Sequence, residues 1–239
     1  MKNAIMVPRM RVVWRLLGLF FLLGWLGQGS ALAGLVHQAA YQGRLETVKR
    51  LLAGKQAEID ISDGFGSTSL HHAAMGGKAD VVTWLLHHGA KVDALDTGGG
   101  TPLILAIQSN HVEVAKILVQ AGADVNVHDN LGTSVLAGAA YHGNRDLVEL
   151  LLDRGAQVNH ANTMGLTPLH MATLANAKTI MRILLNRGAD ANAKDASGET
   201  PLNKQRDEEA RQLLIGYGAR VVANQDGTLV EQSAPKGME

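Results

Sequence analysis

Read for its apolar positions, the chain repeats itself. The run Val81-Val82-Thr83-Trp84-Leu85-Leu86 has counterparts at 114–119, 147–152 and 180–185, a step of 33 residues each time. Ahead of each run a hydroxyl residue opens a shorter apolar stretch, at Thr68, Thr101, Ser134, Thr167 and Thr200, again 33 apart. A Gly-Ala pair closes each long run, at Gly89, Gly122, Gly155 and Gly188. Two markers in phase over five copies define a unit whose parts can be read mechanically.

The hydroxyl caps the free N–H groups at a helix start, and the proline that often follows it suits the first helical position. Alanines such as Ala73-Ala74 and Ala139-Ala140 let this first helix lie close to its neighbours. The Val/Leu run predicts the apolar face of a second, antiparallel helix. Glycine then terminates it, because glycine enters the left-handed cap conformation without penalty. Asp63–Gly66, Asp96–Gly99, Asp129–Gly132 and Asp195–Gly198 carry Asp-x-x-Gly turn chemistry. One such unit cannot bury its own apolar faces, so the copies are expected to stack into an all-α solenoid.

Thr-Pro-Leu-His (Thr167 to His170), Ala-Ala, Val-Val-x-x-Leu-Leu and Gly-Ala-Asp in this phase closely resemble the ankyrin repeat. The resemblance covers about residues 35–222 and divides them into units at about 35–62, 63–95, 96–128, 129–161, 162–194 and 195–222. It implies about six helix-turn-helix units joined by outward β-hairpins, with a concave groove that binds other proteins; the partner stays open. Both end units depart from the pattern. Arg50 stands where the inner units carry Trp84, Ile117, Leu150 and Ile183, and the last unit opens with polar Asn203, Lys204, Gln205 and Arg206. These ends are expected to be caps with a wet outer face. The fourth unit has Ser134-Val135 for Thr-Pro and a Gly138 inside its first helix, which predicts a soft point in the stack.

The first 33 residues read as a cleaved secretory leader. Lys2, Arg9, Arg11 and Arg15 precede an apolar core from Leu16 to Leu26, and Ala31-Leu32-Ala33 supplies a small-x-small site before Gly34. Eleven apolar residues in a helix rise only about 16 Å, about half of a bilayer's hydrocarbon core, which favours a leader over an anchor. Cleavage would remove four of the 22 basic residues and none of the 22 acidic ones, leaving a net charge of −4. That balance argues against nucleic acid as a partner. With no cysteine, the chain forms no disulfide and offers no thiol nucleophile; export without cysteine leans towards a bacterial periplasm. The mature chain is expected to be a monomer, and the polar tail from Ala223 to Glu239 to be flexible.

Ten histidines raise the question of a metal. His37, His71 and His170 sit at one repeat position, where a structural hydrogen bond between units explains them. His111 with His142, and His128 with His160, are the pairs expected to approach across adjacent units, and they carry the alternative reading of a metal or small-ligand binder. No third ligand is fixed, so no metal or other cofactor is assigned. Every Ser or Thr beside a histidine is explained by capping, and no nucleophile elbow or phosphate loop appears, so no catalytic residue is assigned. Binding remains. In the resembling family the hairpin tips and the ends of the first helices make contact, and here repeats 4 and 5 place Leu131, Tyr141, His142, Met164, Leu166 and Leu174 there. Tyr41, Phe65 and Met75 form a second, weaker candidate nearer the N-terminus. An apolar cluster on a solvated face marks a protein-binding patch.

Overall fold

The computed structural model describes residues 31–54 and 58–220. The apolar leader core and the tail from Ala223 lie outside the described residues; Ala31–Ala33, at the expected cleavage site, form the start of the first helix. Six helix pairs follow one another: α1 Ala31–Gln42 and α2 Leu45–Leu52, α3 Ser69–Met75 and α4 Ala79–His87, α5 Pro102–Gln108 and α6 Val112–Gln120, α7 Val135–His142 and α8 Arg145–Asp153, α9 Pro168–Leu174 and α10 Lys178–Asn186, α11 Pro201–Lys204 and α12 Glu208–Gly216. Each pair packs on the next, so one apolar core runs from Val36 to Ala219. Two columns build it at the sequence period. Leu70, Leu103, Leu136, Leu169 and Leu202 line the first helices, and Leu85, Leu118, Leu151 and Leu184 the second; all are fully buried.

Local chemistry sets the helix ends. The hydroxyls of Thr101, Ser134, Thr167 and Thr200 each accept the N–H three residues on. The tight turn between the helices of a pair needs a left-handed residue. Gly43, Gly77 and Gly143 fill it in three repeats, and Asn110 and Asn176, with φ of 59° and 52°, fill it in two. Asparagine tolerates this region better than other residues with a side chain.

The loops between pairs are held by side chains more than by strand pairing. Among the described residues β structure is limited to the isolated bridges Ser62–Thr68 and His128–Ser134. The physical reason lies in the Asp-x-x-Gly turns. One carboxylate oxygen of Asp63 accepts the N–H groups of Phe65 and Ser67, and Asp96, Asp129 and Asp195 repeat the pattern two and four residues on. Asn162 does the same with its amide oxygen. The arms are too short to add a ladder beyond this turn.

A second series of bonds joins each repeat to the next. Asp60, Asp93, Asn126, Asn159 and Asn192 accept the backbone N–H of Lys91, Asp124, Gln157, Asp190 and Arg220. The three asparagines also donate to the carbonyls of Gly155, Gly188 and Gly218, which a carboxylate cannot do. Asp93 is disfavoured further. Burial raises its pKa, and the like charge of Asp124 adds to that, against the N–H of Asp124 that favours the carboxylate. A raised folded-state pKa means the charge at neutral pH opposes folding. Asp93→Asn is therefore expected to stabilise the protein by about 0.5–1 kcal/mol, by gaining a bond to the Gly122 carbonyl. Urea unfolding midpoints at neutral pH check this, and the advantage should shrink in acid as Asp93 takes up its proton.

The end repeats differ from a simple wet face. Arg50 is exposed, as expected. Gln205, by contrast, turns inward and is buried. Its carbonyl oxygen takes the N–H groups of Arg206 and Asp207, and its amide nitrogen reaches Asn176. The polar side chain closes the short helix α11 and satisfies the backbone that the truncation leaves open.

Candidate functional site

The row of turn tips is fixed by the backbone. The carbonyls of Phe65, Leu131 and Met164 accept the N–H of Thr97, Thr163 and Ala196 at 2.8, 2.9 and 2.9 Å. These three residues occupy one repeat position, so the bonds align their side chains along one edge of the stack. All three are exposed, Leu131 by 58%, Met164 by 51% and Phe65 by 48%. Between them, at Gly98, the row is interrupted: among the described residues Asn130 N–H makes no such bond, and its side-chain amide lies alongside Gly98 and Gly99.

The ends of the first helices supply the facing side. Tyr41, Tyr141 and Leu174 are exposed there, with His142 exposed beside Tyr141 and its ring edge-on to the phenol at 5.8 Å. Met75 and Leu166 are half-buried. Leu166 is drawn in because its own N–H and carbonyl close the Asn162 turn. Seven of the nine predicted contact residues therefore stand open to solvent. Leu35, Leu95 and Tyr217 are exposed large apolar residues that the sequence reading did not single out. Leu95 had a signal, since the same column otherwise reads Ser62, His128, Ala161 and Lys194.

The histidines divide by role. His71 and His170 are fully buried, and each closes a capping box. Nδ1 of His170 accepts the N–H of Thr167, while Nε2 donates to the carbonyl of Glu199 in the next repeat; His71 does the same with Thr68 and Gly100. Burial lowers the pKa of both, so both are neutral. His128 and His160 stack with ring centroids 5.4 Å apart, as expected. His111 reaches the other way, donating to the carbonyl of Met75.

The strongest histidine cluster is one that sequence reasoning missed. His37 on α1 and His72 on α3 stack at 4.9 Å, and His72 Nε2 lies 2.8 Å from a carboxylate oxygen of Asp63. Both rings are buried, and Asp63 is partly exposed. Burial, with the neighbouring His72, pushes the pKa of His37 down to about 4. Burial alone would raise that of Asp63, but hydrogen bonds from His72 and from the Phe65 and Ser67 N–H groups hold it below its usual range. The available signal was His72 itself, the one histidine in a column that otherwise reads Gln38, Leu105, Gly138, Met171 and Lys204.

A family model of three consecutive ankyrin repeats matches residues 36–129 and again 136–226. The chain belongs to the ankyrin-repeat family. Its stack is similar to the crystal structure of the human ASB11 ankyrin repeat domain, with a TM-score of 0.71 and 30% identity over 81% of this chain and 88% of that one. Two curated relatives match over shorter stretches. The palmitoyltransferase akr1 of Schizosaccharomyces pombe is 39% identical over 57 residues, 24% of this chain and 9% of that protein. The FYVE zinc finger domain protein UPA1 of Mycosarcoma maydis is 41% identical over 61 residues, 26% of this chain and 5% of that protein. The chain thus matches a small fraction of each curated relative, within a repeat family whose fold is generally a protein–protein interaction module. Among the described residues, no helix of this ankyrin stack is long and apolar enough to cross a membrane.

Proposed function

We propose that this ankyrin-repeat protein is a non-enzymatic binding module of the bacterial periplasm, which holds another exported or membrane protein in its concave groove as a scaffold, inhibitor or protective partner. The observation that carries the reading is the row of exposed Leu131 and Met164 on hydrogen-bonded tips, faced by Tyr141, His142 and Leu174. Apolar side chains on a preorganised backbone lose little freedom on binding, and exposed apolar clusters of this kind supply the anchors of protein interfaces. Leu166 and the Tyr41, Phe65 and Met75 group extend the surface at its edges. The address rests on the leader, with its basic start, short apolar core and Ala31-Leu32-Ala33 cleavage site.

Cross-linked co-purification of the protein from the cells that make it tests both parts, beside a Leu131→Asp, Met164→Asp variant. Both substitutions are at exposed positions, so the fold should survive, as circular dichroism will check. A partner captured by the native protein and lost by the folded variant is expected, from the periplasmic fraction, on a chain whose N-terminus is Gly34. Equal capture by the two proteins would remove the groove from the proposal. A chain that keeps Met1 in the cytoplasm would remove the address.

A further inference from the structure

We infer that His37, Asp63 and His72 form a binding site for one divalent transition-metal ion, zinc by its chemistry, at the junction of the first two repeats. One ring nitrogen from each histidine and one carboxylate oxygen lie within 4.8 Å of one another. A point equidistant from three such atoms is at most about 2.8 Å from each, so zinc bonds of about 2.0–2.2 Å shorten each distance by less than about 1 Å, and the stacked rings turn so that a lone pair of each faces the ion. Two imidazoles and one carboxylate, with no thiolate, suit zinc and its neighbours and not the all-oxygen shells of calcium or magnesium.

The repeat architecture makes this cluster unusual. A single polar partner for the turn carboxylate is what the framework accommodates elsewhere, as Lys204 shows by reaching Asp195 at 2.6 Å. At the first junction the partner is a histidine, and a second histidine stacks on it. His37 itself lacks the arrangement of its counterparts. His71 and His170 each receive a threonine N–H at Nδ1, but Gly34 stands where that threonine would be. The Nε2 of His37 faces the Ile61 carbonyl at 2.8 Å and so carries the proton, which leaves Nδ1 a bare lone pair, buried and without a hydrogen-bond partner. A buried acceptor with no partner calls for an explanation. One nitrogen donating to a backbone carbonyl while the other keeps its lone pair is also the usual state of a metal-ligating histidine.

The carboxylate is prepared in the same way. The oxygen of Asp63 that does not meet His72 is held by the N–H groups of Phe65 and Ser67, which fixes the aim of the other. The carboxylate retains 22% of its exposure while His72 keeps 6%, so an ion enters past Asp63. Once bound, it ties α1 to α3 and secures the first repeat on the second.

Zinc chloride titrated calorimetrically into the full chain, first stripped with a chelator, tests the site. One ion per chain is expected, with a higher unfolding temperature in zinc. His37→Gln and His72→Gln should each weaken binding at least tenfold, and His170→Asn should leave it unchanged. Binding that is absent, not saturable at one ion, or as tight in the His37 and His72 variants as in the native protein would overturn the inference. Should either variant fail to fold, imidazole resonances of the native protein decide. Zinc is expected to shift those of His37 and His72 and not that of His170, and a shift confined to His128 and His160 would refute the site.

Discussion

Gly138→Ala is expected to destabilise the protein, although helix propensity on its own forecasts a gain of about 1 kcal/mol. Gly138 sits inside α7, and a Cβ built there would lie 2.8 Å from Cγ2 of Ile107. Ile107 is buried on α5 of the preceding repeat, and its β-branch leaves it almost no rotamer freedom in a helix. The two helices must separate or the isoleucine must strain. Overfilling of this kind costs about 1–3 kcal/mol, which cancels the propensity gain and leaves a net loss of up to about 2 kcal/mol. Urea unfolding of Gly138→Ala, Ile107→Ala and the double variant resolves the coupling. In the Ile107→Ala background the same glycine change should become neutral or stabilising. A gain from Gly138→Ala alone would support the reading of repeat 4 as a soft point, with the glycine present for slack and not for close approach.

Acid is expected to weaken the stack from about pH 6.5 downward, the ordinary histidine value, and His170→Asn to blunt that loss. Burial lowers the pKa of His170; the bond to the Glu199 carbonyl and the charges of Asp195 and Asp190 oppose this, and Lys204 adds to it. The net shift is downward, so below about pH 6.5 the unfolded chain binds a proton that the folded chain refuses. Stability is flat above that pH and falls below it, with a slope of at most about 1.4 kcal/mol per pH unit for each such group. His71 contributes in the same direction. The last repeat shows how the cap works without a titrating group. Thr200 gives its N–H and its hydroxyl proton to the amide oxygen of Asn203, at 2.9 and 2.7 Å. His170→Asn should therefore keep the Thr167 cap, lose the bond to Glu199 for about 1 kcal/mol at neutral pH, and show a shallower decline in acid. Urea midpoints at about pH 7.5 and about pH 5 measure both slopes. Parallel slopes would mean that His170 keeps its ordinary pKa in the folded protein.

Much of the fold was legible because one repeat dictates its own parts. The hydroxyl caps, the leucine columns and the closing glycines each follow from chemistry within 33 residues, and they stand where the period puts them. What escaped depends on which neighbour a residue faces. His37 and His71 share a phase, yet His37 stacks on His72, because adjacent first helices meet side by side and not at equivalent positions. His111 likewise reaches back to Met75 and not on to His142. Gln205 reads as a solvated residue of a polar cap, but the shortened helix leaves backbone groups that its side chain turns inward to satisfy. The exposed contact surface was legible in outline, since tips and helix ends are free of packing duties. Leu166 was drawn inward by its own turn, which apolar patterning does not register.

The bonds that join one repeat to the next connect residues close in sequence. Asn126 to Gly155 spans 29 positions, Asp190 to Asn159 spans 31, and Arg154 to Val119 spans 35. Closing loops of that size is entropically inexpensive, and each closure needs only the unit already made. A nascent chain can therefore settle its second repeat onto its first while the later ones are still being synthesised. Order spreads along the polypeptide in the direction of translation, without waiting for the far end to appear.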